Sequence, residues 1–518
     1  MRGLSRNLKT GVAWRSSRTV KGIVSRGASD TSSQRRIAKV SLLWVLMLSV
    51  PALFEVSRMM SAVGVGLLVV APTLASWKET RRLLVADPIV VMGFPWILAV
   101  TLPVLVPSLY KDRMWYELSP EILDYAALWM YRSWAASNVA YWLGRVLIRE
   151  RTPRPATMFD YRVQVLMRRW IGVLGVLGAV AYIVFTGGYT HSILEETAVQ
   201  DSTAKQILLL FMELSYAYVF LYFHARGRES LQALDRHILL AVLGVQGIIF
   251  ITSGSKYTAM ILAAAWLLGN ATAMRRSGFL KEVGWVAAGI GAIFAISYMT
   301  AAYRGELVSR PLPLENAPVT QVLAFHFDVI ISAIETILEG GDIGKGYYTN
   351  YDAKYIFDRF GHLSSLAFFW DEVGLDPPYE NAISSLLAPV YAFVPRSLFP
   401  SKPHYFGSGD FARYIGWEYG GVSITTPGSF FWAWGYVGII VGMAGIGLAF
   451  AWLWMRSIGD DTTALIRRTV MTGALLKLLD VGVTFQMVLV PVTRNLALLL
   501  FLRWLIRLQL TNGRNRGN

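Results

Sequence analysis

Residues 429–455 read SFFWAWGYVGIIVGMAGIGLAFAWLWM, and none of them is charged. A helix of about 20 such residues crosses the apolar core of a bilayer, which is about 30 Å thick. Inside lipid every backbone amide and carbonyl needs an internal hydrogen-bond partner, and a single segment meets that demand only as a helix. This stretch therefore predicts a membrane-spanning helix, and we interpret the rest of the chain around it.

The composition of the whole chain supports the same fold class. Of its 518 residues, 54% are hydrophobic and 16% are charged, whereas soluble proteins contain about 25% charged residues. The sequence contains no cysteine, which excludes disulfides, thiolate catalysis and thiolate metal ligands. We predict an all-α, polytopic integral membrane protein.

Apolar stretches long enough to cross a bilayer recur along the chain. They predict twelve spans, which are joined by short connections with one exception. The predicted spans are residues 40–56, 60–77, 88–108, 121–147, 169–187, 204–223, 237–253, 256–272, 281–302, 429–455, 468–485 and 488–509.

The charges of the connecting segments predict the orientation of these spans. The net charge is +15, from 49 Lys and Arg against 34 Asp and Glu. Alternate connections such as 77–87 and 456–468 contain clustered arginines, whereas the connection 187–203 on the opposite side is acidic. Basic connections stay in the cytoplasm, so both termini are predicted to be cytoplasmic.

These signals divide the chain into five parts. Residues 1–39 contain ten Lys or Arg, one Asp and no apolar core, so they predict a basic cytoplasmic tail rather than a cleavable signal peptide. Membrane domains follow at 40–302 and 428–509. A large external connection at 303–427 separates them, and a short tail at 510–518 ends the chain.

The connection 303–427 has the reverse charge balance, with eight Lys or Arg against fourteen Asp or Glu. Its apolar residues show helical spacing over 319–337 and again from Ile383 to Val394. We therefore predict two amphipathic helices, the second of which ends at Pro395. Each is expected to lie along the membrane surface or to re-enter it.

Cations on the external side do not serve as orientation signals, so they are candidates for binding. Arginine binds phosphate through two parallel hydrogen bonds, and lysine adds a compact positive charge. A diphosphate at the membrane surface would engage several of them together, and pairing with the carboxylates of the same connection is the alternative. The candidates are Lys256, Arg304, Arg396, Lys402 and Arg413.

Candidate acid–base residues lie close to these cations in the sequence. His404 titrates near neutrality, and Asp410 and Glu418 are alternatives for removing a proton from a hydroxyl group. No spacing of His, Asp and Glu resembles a metal site, so we expect no metal or cofactor. Within the spans, Lys477 and Asp480 share a helix face, and we expect them to pair.

Several motifs together resemble the Wzy-type oligosaccharide repeat-unit polymerases, which are relatives of the O-antigen ligases. SGSK at 253–256 is similar to the family's turn of small residues and a cation, and YRG at 303–305 is similar to its arginine after a span. VPRSLFPSKP at 394–403 resembles its Pro-Arg, aromatic-Pro and Lys-Pro segment. TTPGSFFWAWGYVGIIVGMAGIG at 425–447 resembles a stretch in which an acidic residue often follows the glycine, and Ser429 stands there in this chain.

The resemblance implies a GT-C-like, multi-span glycosyltransferase of the bacterial inner membrane that uses neither metal nor nucleotide. Its substrates would be undecaprenyl-diphosphate-linked oligosaccharides, with membrane lipids and a chain-length regulator as further partners and no nucleic acid. By this resemblance Lys256, Arg304 and Arg396 stabilise the departing diphosphate. His404 or Glu418 would remove the proton of the acceptor hydroxyl.

Three alternatives remain open at this point. An O-antigen ligase would use the same donor and transfer its glycan to a lipid A-core acceptor. A polysaccharide or ion transporter would use charged residues inside the spans, such as Glu213 and Lys477. A scaffold for an export complex would need none of the candidate catalytic residues.

Overall fold

The computed structural model describes the membrane helices and part of the long connection. The described residues are 35–80, 87–107, 118–149, 156–186, 203–226, 231–253, 256–273, 279–310, 319–339, 362–374, 382–391, 424–479 and 481–515, with Asp376, Val394, Phe399, Phe411 and 414–416. Every regular element among these residues is a helix, so the chain is an all-α protein.

The helices are numbered in chain order, and α3 contains a π-helical turn at Ile97–Thr101. They are α1 (35–49), α2 (Arg58–Thr80), α3 (Pro88–Leu105), α4 (Pro120–Leu147), α5 (Met158–Thr186), α6 (Thr203–Arg226), α7 (Ala233–Ser253), α8 (Lys256–Ala273), α9 (Phe279–Val308), α10 (Val319–Leu338), α11 (His362–Val373), α12 (Ala382–Tyr391), α13 (Thr426–Arg456), α14 (Thr462–Leu478) and α15 (Phe485–Asn515).

Local sequence sets where the central helices begin. The side chain of Ser119 accepts a hydrogen bond from the amide of Ile122, and Pro120 opens α4. Asp87 does the same for the amide of Ile89 before Pro88 opens α3. A short polar cap followed by proline is a strong signal for the start of a helix. The amide hydrogen of the first helical residue has no partner within the helix, so proline, which lacks that hydrogen, loses nothing there.

Each of the twelve predicted spans overlaps one of the helices α1–α9 and α13–α15. Two spans differ most from the helices. Helix α5 begins at Met158, whereas its span was predicted to begin at 169. The span predicted at 468–485 includes a turn, because α14 ends at Leu478 and α15 begins at Phe485. Two of the helices in the long connection were also predicted, α10 and α12. The third, α11, was not.

Nine helices in the described part of the chain are long and apolar enough to cross a membrane. The chain is therefore a membrane protein with several spanning helices. The nine include α10, which we predicted to lie along the surface or to re-enter, and they do not include α4. The count of twelve spans remains a prediction.

The most extensive helix contact joins α4 to α13, which lie far apart in the sequence. Small residues allow their backbones to approach closely. Gly144 faces Ala451, and a side chain at Gly447 would collide with the carbonyl oxygen of Ser137. The middle of α4 is buried on most sides, so few of its side chains face lipid and it tolerates more polar residues than α13 does.

Buried ion pairs fix one end of the bundle, which we call the basic end because α3 and α5 begin there after arginine-rich connections. Asp87 accepts hydrogen bonds from Arg145 and from the hydroxyl of Tyr141, both at 2.7 Å. Asp235 is paired with Arg168 and Arg169 at 3.3 and 3.2 Å. Arginines that the sequence presents as orientation signals thus also hold helices together.

Labelling of single cysteines should place the basic end in the cytoplasm. The cysteine-free chain permits Ser309→Cys after α9 and Arg149→Cys after α4, and both positions are exposed. We expect an impermeant maleimide to label Ser309→Cys in spheroplasts and to label Arg149→Cys only after lysis, because basic connections stay in the cytoplasm. Labelling of Arg149→Cys alone in intact spheroplasts would show that the orientation is the opposite of the predicted one.

Candidate functional site

The long connection returns to the bundle at the end where α13 and α15 begin, which we call the loop end. The amide of Thr426 donates to the carbonyl of Val481 at 3.3 Å, and its hydroxyl donates to that of Val483 at 2.8 Å. The amide of Phe485 donates to the hydroxyl of Ser429 at 3.1 Å. Ser429, which stands where the resembled family often has an acid, therefore caps the start of α15.

The entry into α13 is held in an uncommon backbone conformation. Thr425 has φ 62°, and its hydroxyl accepts a hydrogen bond from the amide of Gly428 at 3.1 Å. A left-handed threonine costs on the order of 1–3 kcal/mol and persists only where its surroundings enforce it. The bonds that Thr426 makes to the turn before α15 provide that enforcement.

Aromatic rings join α11 to the loop end. Trp370 lies in edge contact with Phe431 and with Tyr125, with ring centroids 5.6 and 5.3 Å apart. Tyr436 and Trp129 stack at 4.6 Å beside them. The long connection therefore includes a helix that packs on α4 and contacts α13 through Phe431.

The segment that carries Arg396 in the sequence begins and ends at residues that contact each other. The rings of Tyr391 and Phe399 lie 6.0 Å apart, and the amide of Val394 donates to the carbonyl of Tyr391 at 3.1 Å. The preceding helix, α12, packs its Ala388 against Val490 of α15. The prediction that Pro395 ends this helix is wrong, since α12 already ends in the turn after Tyr391.

Arg304 lies near the end of α9 and is half-buried. The hydroxyl of its neighbour Tyr303 is 2.6 Å from Nδ1 of His326 on α10, and both side chains are buried. Further along α10, the hydroxyl of Thr336 donates to Glu306 of α9 at 2.9 Å. His326 thus belongs to the core, and its contact fixes α10 against the helix that carries Arg304.

The other candidate residues are less fully described. Lys256 is the first residue of α8, and its side chain lies outside the described part of the structure. The remaining candidates lie entirely outside the described residues, backbone and side chain alike. That all the candidate residues meet at one site therefore stays a prediction. These remaining candidates are Arg396, Lys402, His404, Asp410, Arg413 and Glu418.

Two polar residues inside the spans have partners that sequence reasoning did not identify. Lys477 of α14 forms an ion pair with Glu213 of α6 at 2.7 Å, whereas we had expected Asp480 as its partner; Asp480 lies outside the described residues. Arg132 of α4 donates to the carbonyl of Ala52 at 2.8 Å. Neither pair could be read from local spacing, because the partners are 264 and 80 positions apart.

Neither a protein-family model, nor a curated protein, nor a solved structure matches the chain. Among the described residues, no group of three or more His, Asp or Glu side chains is arranged to hold a metal ion. The geometry at the loop end and the motifs of the sequence are thus the grounds on which a function can be proposed.

Proposed function

We propose that this protein is a membrane glycosyltransferase that polymerises undecaprenyl-diphosphate-linked oligosaccharide repeat units into a surface polysaccharide. The observation that supports it most is the packing of α12 on α15, together with the contact between Tyr391 and Phe399. These contacts place Tyr391 and Phe399, which lie on either side of Arg396 in the sequence, next to a helix that packs on the bundle.

Two further candidate cations belong to the same end. Arg304 is near the last turn of α9, and Lys256 is the first residue of α8. Helices α8 and α9 pack against each other. They run in opposite directions, because the few residues between Ala273 and Phe279 are too short to span the roughly 27 Å length of α8. The end of α9 and the start of α8 therefore lie on one side of the bundle, as a shared diphosphate site requires.

The proposed reaction exchanges one bond at an anomeric carbon for another. A sugar hydroxyl of the acceptor attacks the anomeric carbon of the growing chain, and the bond from that carbon to the diphosphate oxygen breaks. The cations stabilise the negative charge that develops on the diphosphate. His404, Asp410 or Glu418 takes the hydroxyl proton.

Elongation of lipid-linked repeats by the purified protein is the direct test. We expect polymer to form in detergent or vesicles from these repeats alone, in the presence of a chelator and without nucleotide. The diphosphate already provides the leaving group, and cationic side chains can supply its charge stabilisation. Strict dependence on one divalent cation, restored only by that cation, would contradict this mechanism.

The alternatives are separated by their products. A ligase would transfer glycan to lipid A-core and leave repeat units unpolymerised. A transporter is favoured by one observation, the Glu213–Lys477 pair inside the bundle, because intramembrane charges often mark ion pathways. Transport in sealed vesicles without any change of chain length would support the transporter and exclude the polymerase.

A further inference from the structure

A cavity of about 40 Å³ lies inside the bundle between α6, α8, α14 and α15. Most of its wall is apolar, with Leu214, Phe220 and Ile261 among the lining residues. Its polar lining includes Glu213, Lys477 and, on α15, Asn495. The cavity is thus the place where the charged pair of the bundle meets a third polar residue.

The ion pair at the cavity is close but not sealed. Lys477 Nζ donates to Glu213 Oε1 at 2.7 Å, and 18% and 16% of the two side chains remain exposed. A carboxylate and an ammonium group in an apolar bundle keep their charges only if further polar groups or water solvate them. Both residues line the cavity, which is where such solvation can reach them.

Asn495 supplies a second, independent observation. Its Oδ1 is buried, and within the described part of the chain no donor forms a hydrogen bond to it. Buried amide oxygens are nearly always bonded to protein or to ordered water. A water needs roughly 10–15 Å³ of such space, so the cavity holds about three water molecules.

We propose that this cavity is a hydrated site, in which water joins Asn495 to the Glu213–Lys477 pair and exchanges with bulk water at the loop end. Lys477 is in the last turn of α14, next to that end. Ile261 lies five residues into α8, or about 7.5 Å along the helix from Lys256. The site takes water and, with it, an exchangeable proton, whichever activity the protein has.

A cysteine at Gly473 tests the hydration of the cavity directly. Gly473 lines the cavity, and a side-chain carbon added there would meet no other atom within 4 Å. Gly445 of α13 has the same free space but is exposed on the outside of the bundle. Gly473→Cys and Gly445→Cys are therefore matched variants of a chain without other cysteines.

Silver ion is the probe, because it is about as small as water and binds the thiolate form of cysteine. We expect silver added to membranes to protect Gly473→Cys about tenfold faster than Gly445→Cys from maleimide labelling that is done after the chain is denatured, since apolar surroundings suppress the thiolate of Gly445→Cys. Equal rates, or faster protection of Gly445→Cys, would show that the cavity is dry and overturn the proposal.

Asn495→Leu gives a second measurement that does not depend on the cysteine variants. If a water molecule donates to Asn495 Oδ1, the substitution removes the water bridge between Asn495 and the ion pair. The midpoint of thermal unfolding in detergent should then fall or stay unchanged. If the cavity is dry, the substitution removes an unbonded buried oxygen and the midpoint should rise. A rise would contradict the hydrated site.

Discussion

Replacing Arg304 or Arg396 with alanine is expected to lower the rate of glycan transfer about a hundredfold, or by ~3 kcal/mol of transition-state stabilisation. Negative charge develops on the departing diphosphate, and removal of one preorganised donor costs that much in comparable sites. The measurement is the initial rate of polymer formation by purified variants at saturating lipid-linked repeat.

Arg310→Ala is the matched control for Arg304→Ala. Arg310 carries the same charge just beyond the end of α9, but it is paired with Glu306 and bonded to Ser332 of α10. We expect its removal to leave the rate of glycan transfer nearly unchanged.

Arg396→Lys should still impair turnover if the diphosphate is bound through two parallel hydrogen bonds, because lysine keeps the positive charge but lacks the two parallel donors of arginine. Wild-type rates for both Arg304→Ala and Arg396→Ala would place the site elsewhere.

Replacing Arg145 with alanine is expected to destabilise the fold by about 3–5 kcal/mol. Arg145 and Asp87 are 3% and 0% exposed, and their atoms are 2.7 Å apart. Removing one partner leaves the other as an uncompensated charge in the bundle, which is the costly case. Arg145 also lies over the rings of Trp142 and Trp454, so its loss removes packing between α4 and α13.

Arg58→Ala measures the same substitution at an exposed ion pair. Arg58 and Asp124 are 3.2 Å apart but 31% and 48% exposed, and such pairs contribute about 1 kcal/mol or less. Thermal aggregation in detergent should therefore begin at a clearly lower temperature for Arg145→Ala than for Arg58→Ala. Indistinguishable midpoints would mean that the buried pair does not hold the basic end together.

The membrane helices were predictable because lipid imposes one rule on each of them separately. A long apolar run must be helical, and that inference needs no knowledge of neighbours. Helix α10 was predictable for a related reason, since Val319, Leu323, Phe327, Ile330, Ile334 and Ile337 recur at helical spacing in the sequence. The spacing did not identify the buried face, because Phe327 and Ile334 are exposed and Val322, Val329 and Ala333 are buried. Position within the sequence was also enough to place Arg304 near the end of a helix.

Helix α11 was missed although its buried Leu363, Leu366, Ala367 and Trp370 recur at helical spacing. The pattern is short, because the helix has 12 residues, and the buried Phe369 broadens its apolar face. Periodicity is therefore weaker evidence for α11 than for a helix of about 20 residues. The buried environment that α4 and α13 create around α11 comes from distant parts of the chain.

The partners of charged residues were unpredictable for the same physical reason. Local spacing suggested Asp480 for Lys477, but the observed ion pair joins it to Glu213 on another helix. The turn between α14 and α15 was also hidden, because its residues are as apolar as the helices beside it. That turn is fixed by hydrogen bonds from Thr426, 55 or more positions earlier in the chain.

The pairing of α4 with α13 has a consequence for how the protein is made. About 300 residues separate the two helices. A ribosome that adds about 5–20 residues per second needs roughly 15–60 s to synthesise this intervening stretch. During that interval Ser137 of α4 faces a gap that Gly447 will later fill. We expect the insertion machinery to shelter α4 until its partner emerges. A nascent chain stalled before residue 426 would present α4 uncovered to membrane proteases.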